Sequence, residues 1–130
     1  MTNDLTLQLL DEIVDKVKNI VGVDSVCFIK DNNEIIKEHK IRPVKDYLKA
    51  VFNLIKSKSE SNNENNYLEK FHTQTFLNES GLIIISHLDN QNKDNLYLVV
   101  VAGENQAVDL INLLKKCKEC RRNYLKEVVL

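Results

Sequence analysis

The chain has 130 residues, a one-domain length, and with 43% hydrophobic and 28% charged residues it can bury a core. Its 18 Lys+Arg against 19 Asp+Glu leave a formal charge of −1, which argues against general affinity for nucleic acid or an anionic membrane. Three glycines, one proline and an odd three cysteines speak against collagen-like, many-turned sandwich and disulfide-framework classes. No apolar run approaches the ~18–20 residues that span a bilayer, and the opening residues Met1 to Leu5 carry no basic region before an apolar stretch. The expectation is a cytoplasmic chain with reduced thiols, no signal peptide and no membrane insertion.

From Leu5 to Val21 the residues Leu9, Leu10, Ile13, Val14, Val17, Ile20 and Val21 share one side, opposite Asp11, Glu12, Asp15, Lys16 and Lys18. That spacing predicts an amphipathic helix, α1, with Asn3 or Asp4 to cap its start and Gly22 to suit its end. Val23 to Lys30 is apolar in both alternating registers and Glu34 to His39 is mixed, so the two predict a hairpin (β1, β2) about the turn Asp31-Asn32-Asn33. The first strand should be covered on both faces and the second should lie at an edge.

Pro43 suits a first helical turn, and Val44 to Lys58 predicts a second helix, α2. Its apolar stripe is broad: Val44, Leu48, Phe52 and Ile55 form one line, expected to face the sheet. Tyr47, Val51 and Leu54 form an adjacent line that asks for another neighbour. Ser57 to Asn66 reads as a polar solvated loop within one domain, 1–130. Tyr67 to Phe76 (β3) is polar enough for an edge, Asn78 to Gly81 is a turn, and Leu82 to His87 (β4) and Leu96 to Ala102 (β5) read as buried central strands. Glu104 to Val128 predicts a long helix, α3, about 37 Å at 1.5 Å per residue. Its expected inner stripe is Ala107, Leu110, Ile111, Leu114, Cys117, Tyr124, Leu125 and Val128.

The order is α-β-β-α-β-β-β-α, an α/β (α+β) domain. A five-stranded antiparallel sheet ordered 2-1-5-4-3 puts both polar strands at the edges, with α1 and α3 on one face and α2 on the other.

Chemical sites are sparse. Cys117 and Cys120 are spaced C-x-x-C, but a second ligand pair for zinc is missing and the pair lies well inside α3. They read as ordinary helix thiols. His39, His72 and His87 are scattered over strands, and nothing fixes any of them beside a nucleophile. Gly22, Gly81 and Gly103 are isolated beside strands, with no phosphate-binding loop around them. No catalytic residue, cofactor or metal is assigned. Lys115, Lys116, Lys118, Arg121 and Arg122, with Glu119, give one stretch of α3 a net +4. A solvated helix face, a surface for an acidic protein partner and a contact to nucleic acid or lipid are the readings open for that stretch.

With these elements in order, the chain resembles the roadblock/dynein light chain family from about Leu9 to Val128. The resemblance rests on LLDEIVDKVKNIVGVDSVCFIKDNNEII (Leu9 to Ile36), a helix running through Gly22-Val23 into a hydrophobic strand, a turn and a short strand. A second piece, NESGLIIISHLDNQNKDNLYLVVVAG (Asn78 to Gly103), is a hairpin leading into the last helix. Where many relatives carry a glycine in the first hairpin, this chain has Asp31-Asn32-Asn33, and asparagine also accepts left-handed backbone angles.

The resemblance implies a non-enzymatic scaffold without cofactor. It implies a homodimer or a dimer with a paralogue, α2 against α2 and third strands edge to edge. It also implies a Ras-like small GTPase as partner, or an adaptor role in a signalling, motility or trafficking assembly. The interface residues expected on this basis are Tyr47, Val51 and Leu54 of α2 and Tyr67, Phe71 and Thr73 of β3, with Lys45, Lys49 and Lys56 as polar contacts. The alternative is a small-molecule-sensing PAS-, GAF- or profilin-like domain, for which the central strands offer few polar groups, mainly Ser25, Cys27 and Ser86. An RNA-binding sheet would need exposed aromatics on central strands within a basic domain, and these are not evident.

Overall fold

The computed structural model describes residues 4–30, 32–41, 47–60, 73–78, 81–88, 96–103 and 109–128. The elements are α1 (Asp4–Val17), β1 (Ser25–Lys30), β2 (Ile35–Lys40), α2 (Leu48–Glu60), β3 (Thr73–Asn78), β4 (Gly81–Leu88), β5 (Leu96–Gly103) and α3 (Leu110–Val128). All neighbouring strands run antiparallel in the order β2-β1-β5-β4-β3. The order of elements and the sheet order are those the hydrophobic pattern demanded.

Strand alternation divides the core in two. Val26, Phe28, Leu82, Ile84, Leu88, Leu96, Leu98, Val100 and Ala102 point to one face, where α1 adds Leu10, Ile13, Val14 and Val17 and α3 adds Leu113, Cys117, Cys120 and Tyr124. Cys27, Ile29, Ile85, Tyr97, Val99 and Val101 point to the other, against Tyr47, Val51 and Ile55 at α2. β1 is buried almost throughout and β2 is largely open, as a central and an edge strand should be.

Several boundaries differ from the expectation. α1 stops at Val17 rather than Val21, because the chain tightens into three-residue turns, with Ile20 N donating to Val17 O (3.1 Å) and Val23 N to Ile20 O (3.2 Å). Those turns bring Ile20 inward and throw Val21 out, 69% exposed. Gly22 follows with φ 92°, a left-handed value suited to glycine. In the first hairpin Asn33 takes φ 69°, the role a glycine would otherwise fill, and Asn33 N donates to Lys30 O at 2.9 Å. Asp31 lies outside the described residues.

α2 continues through Ser57–Glu60, so these four are helical rather than loop. Polar residues do not stop a helix, and Lys and Glu favour one. Its start is fixed by Val51 N donating to Tyr47 O at 3.0 Å. Pro43, Val44 and the remaining loop residues 61–66 lie outside the described residues. β3 runs to Asn78, which pairs with Gly81, leaving 79 and 80 between the strands; residues 67–72, where its start was expected, are not described. α3 begins at Leu110 instead of Glu104: the Asp109 carboxylate caps it by accepting from Asn112 N at 3.2 Å. Ala107 and residues 89–95 also lie outside the described residues.

The α3 stripe is rotated from the expected one. Leu113, Cys117, Cys120 and Tyr124 are buried, while Leu110 borders solvent and Ile111 is 70% exposed. The row Leu113-Cys117-Cys120-Tyr124 repeats at four, three and four residues, and it lies opposite the cations of the helix.

Candidate interaction surfaces

From the start of α2, the four-residue spacing sets Tyr47, Val51 and Ile55 in a line down onto the sheet. Val51 is 0% and Tyr47 7% exposed, so they are core within a single chain, not an uncovered line awaiting a neighbour. Of the line expected to face the sheet, Ile55 is buried but Leu48 and Phe52 are only half-buried, while Tyr47 and Val51 of the adjacent line take the core positions and Leu54 stays partly open. Lys49, Asn53 and Lys56 define the solvent side of α2, and the direction opposite them runs through Tyr47 and Val51. Leu48 and Phe52 on one flank, and Leu54 on the other, are half-buried. Leu54 alone of the three expected α2 contacts keeps a partly open apolar surface, and Leu48 and Phe52 join it.

Tyr47 anchors this arrangement through its hydroxyl. It donates to Glu38 Oε2 at 2.7 Å, and Ser25 Oγ lies 2.8 Å away, placed to donate to it. The chain Ser25–Tyr47–Glu38 ties the start of α2 to β1 and β2. Burial pushes the Tyr47 phenol well above its usual range, with Ser25 opposing that shift and Glu38 adding to it. Burial likewise pushes the Cys27 thiol up to about 12, with the neighbouring Tyr47 hydroxyl opposing that shift and the Glu38 charge reinforcing it.

The groups that a small-molecule pocket would need are thereby occupied. Ser25 bonds Tyr47, and the fully buried Ser86 bonds Thr73 through their hydroxyls at 2.9 Å. Cys27 is a protonated, buried thiol at neutral pH. In α3 the Cys117 thiol is raised to about 12, first by burial and then by Cys120, and burial raises Cys120 too. Both sulfurs are buried and reduced, as ordinary helix thiols would be.

β3 has one neighbour, β4, and forms an edge of the sheet. Thr73 is half-buried by its bond to Ser86, Phe76 is half-buried beside the α2 cluster, and Thr75 and Leu77 are exposed. Tyr67, Phe71 and Lys45 lie outside the described residues. Lys49 and Lys56 are exposed on the outer side of α2.

His39 on β2 and His87 on β4 are separated by β1 and β5 in the sheet, so no pair of them shares a site. His87 stacks on Tyr97 with ring centroids 4.8 Å apart. His72 is not among the described residues. Among those that are, no three His, Cys, Asp or Glu side chains gather to hold a metal, and no helix is long and apolar enough to cross a membrane.

No family model matches the sequence, and no curated protein matches it. Solved structures do match in fold. The gliding protein MglB of Thermus thermophilus superposes with a TM-score of 0.73 at 12% identity, over 99% of this chain and 94% of that one. MglB of Myxococcus xanthus gives 0.62 at 11% identity, over 98% and 97%. A Roadblock/LC7 domain from Streptomyces avermitilis gives 0.59 at 12% identity, over 92% and 98%. At such identities the likeness speaks for the fold, and nearly the whole of each chain takes part in it. The chain has the fold of the MglB and Roadblock/LC7-domain structures.

Proposed function

We propose that this chain is a non-enzymatic roadblock-type scaffold in the cytoplasm. It pairs with a second copy or a paralogue and presents the paired surface to a Ras-like small GTPase, or serves as an adaptor in a signalling, motility or trafficking assembly. The observation that carries the reading is β3 at a sheet edge, with β4 as its strand neighbour among the described residues, together with the half-buried apolar residues Leu48 and Phe52 on one flank of α2 and Leu54 on the other. An open edge offers unpaired backbone groups, and half-covered apolar flanks gain from burial against a twin. The fold supports the same reading, since one MglB structure of this fold is described as a tetrameric arrangement, a self-association. The absence of an assigned nucleophile, metal set or phosphate loop rests on the sequence and the described residues alone.

The test has two parts. Sedimentation of the purified chain at tens of micromolar, above a typical ~1 μM dissociation constant, should show a dimer that Phe52→Glu splits. Pull-down with small GTPases in GDP and GTP-analogue states, beside a metabolite thermal-shift panel, then addresses the partner. A monomeric wild type overturns the dimer. A reproducible small-molecule shift without GTPase binding overturns the scaffold reading in favour of ligand sensing.

A further inference from the structure

On α3 the exposed side carries Ile111, Lys115, Lys118, Arg122 and Lys126, spaced four, three, four and four residues apart, which is one row down the helix. From Lys115 to Lys126 the row runs about 17 Å. Two anchors fix its direction: the buried line Leu113, Cys117, Cys120 and Tyr124 on the opposite side, and Arg121 Nε donating to His87 O on β4 at 3.0 Å.

Three cations elsewhere in the fold are held in ion pairs. Lys18 pairs with Asp15 at 3.1 Å, Lys37 with Asp11, and Lys30 with Glu34 at 3.6 Å. The four cations of the row have no ion pair among the described residues, and Glu119 beside them turns to Lys116 at 3.5 Å. The row holds like charges at Lys118 and Arg122 and at Arg122 and Lys126, four residues apart, a spacing that costs helix stability. The helix dipole favours cations only in the last turn, which accounts for Lys126 but not for Lys115 or Lys118. Neither an ion pair among the described residues nor the helix dipole accounts for Lys115, Lys118 and Arg122.

We propose that the α3 row is a docking surface for an acidic amphipathic helix of a partner protein. Carboxylates repeating every three and four residues on such a helix would meet Lys115, Lys118, Arg122 and Lys126 in register. An apolar residue at its end would cover Ile111 and Val21, which are 70% and 69% exposed and held close by Asp109 N donating to Val21 O at 3.3 Å. The row is bordered by Asn112, Glu119 and Asn123 on one side and by the half-buried Leu114, Arg121 and Leu125 on the other, so it is narrow and matches a linear partner better than the plane of an anionic membrane. It lies across the sheet from α2, so both faces can be occupied together. The proposal stands without the GTPase reading.

The probe is a fluorescent synthetic helical peptide with glutamates at that three-and-four spacing and one terminal leucine, titrated with the full chain at low salt. Wild type should bind, with affinity falling as salt rises. Lys115→Glu, Lys118→Glu and Arg122→Glu together should weaken binding at least about tenfold, which is about 1.4 kcal/mol. The charge-matched set Lys40→Glu, Lys49→Glu and Lys56→Glu, on β2 and α2, should stay within about twofold of wild type. All six positions are exposed, and circular dichroism confirms that both variants fold. The proposal is overturned if wild type does not bind, if both variants lose affinity equally, if a peptide of scrambled glutamate spacing binds as well, or if phosphatidylserine vesicles or duplex DNA bind the row more tightly than the peptide. Because the control set strikes the α2 face, loss of a GTPase and loss of the peptide remain separate outcomes.

Discussion

Tyr47→Phe removes one oxygen and keeps the buried ring, so it isolates the hydroxyl chain that fastens α2 to the sheet. The hydrogen bond to the Glu38 carboxylate is lost. Bonds to charged groups contribute about 1.5–3 kcal/mol, and the exposure of Glu38 places this one at the low end. Ser25, 0% exposed, is left without its partner, and an orphaned buried hydroxyl costs about 1–3 kcal/mol before relaxation. The two overlap, and the expected total is about 2–3 kcal/mol. For a chain between the small and medium size classes this is a fall in Tm of roughly 8–12 °C. Urea unfolding followed by circular dichroism, at one fixed protein concentration because dimerisation would contribute, measures it. Ser25→Ala alone leaves the Tyr47–Glu38 bond and should cost about 1 kcal/mol, whereas the double variant should cost less than the sum because no orphan hydroxyl remains. A loss below about 0.5 kcal/mol for Tyr47→Phe, or strict additivity, would refute the latch.

Val51→Glu should unfold or severely destabilise the chain rather than merely split a dimer, since it puts a carboxylate into the α2 core; Phe52→Glu should leave a folded monomer, and sedimentation with circular dichroism separates the two. Leu113→Ala, at a fully buried position of α3, should cost about 2–5 kcal/mol in urea unfolding, while Ile111→Ala at an exposed position should fall within about 0.5 kcal/mol. Cys27 and Cys117 titrate near 12 when folded against an ordinary 9.0, so between those values the unfolded chain binds fewer protons and stability falls. Their contribution should be complete below about pH 9 and be lost on the way to about pH 12, with no comparable step at neutral pH. Ellman's reagent at about pH 8 should label the three thiols slowly in the native chain and rapidly in denaturant.

The strand order was legible because polarity put two of the five strands at the edges, and pairing β1 with β2, β3 with β4 and β4 with β5 as hairpins then left one antiparallel arrangement. Helix rotation was less legible, for a specific reason. Both α2 and α3 carry more apolar residues than a single buried line needs, so counting hydrophobic neighbours allowed two choices. The charged residues resolved each case. Lys49, Asn53 and Lys56 point α2 through Tyr47 and Val51, and Lys115, Lys118, Arg122 and Lys126 point α3 through Leu113, Cys117, Cys120 and Tyr124. A cation cannot turn inward without a partner, whereas a leucine can face out at small cost. The Ser25–Tyr47–Glu38 chain was invisible because it joins three elements through a register that only the folded sheet defines.

The two faces of the sheet are covered unequally, and that inequality bears on the scaffold reading. One face has α1 and α3, 14 and 19 residues, side by side. Among the described residues the other has α2, 13 residues. A helix is about 10 Å across, and five strands at about 4.8 Å span roughly 20 Å between the outer two. Among the described residues, a single helix therefore covers only part of this face. The residues at that margin are the half-buried Ile83 on β4 and Phe76 on β3, which flank the same cluster as Leu48, Phe52 and Leu54. Both lie on the strands between the cluster under α2 and the β3 edge. A partner seated there would finish a layer that the chain begins, while the cationic row across the sheet stays free for a second contact. Truncating Phe76 to Ala should thus weaken self-association more than it lowers monomer stability, and sedimentation beside urea unfolding of the Phe52→Glu background gives both numbers. If Phe76→Ala destabilises that monomer as much as it weakens the dimer, Phe76 belongs to the core and the margin is closed.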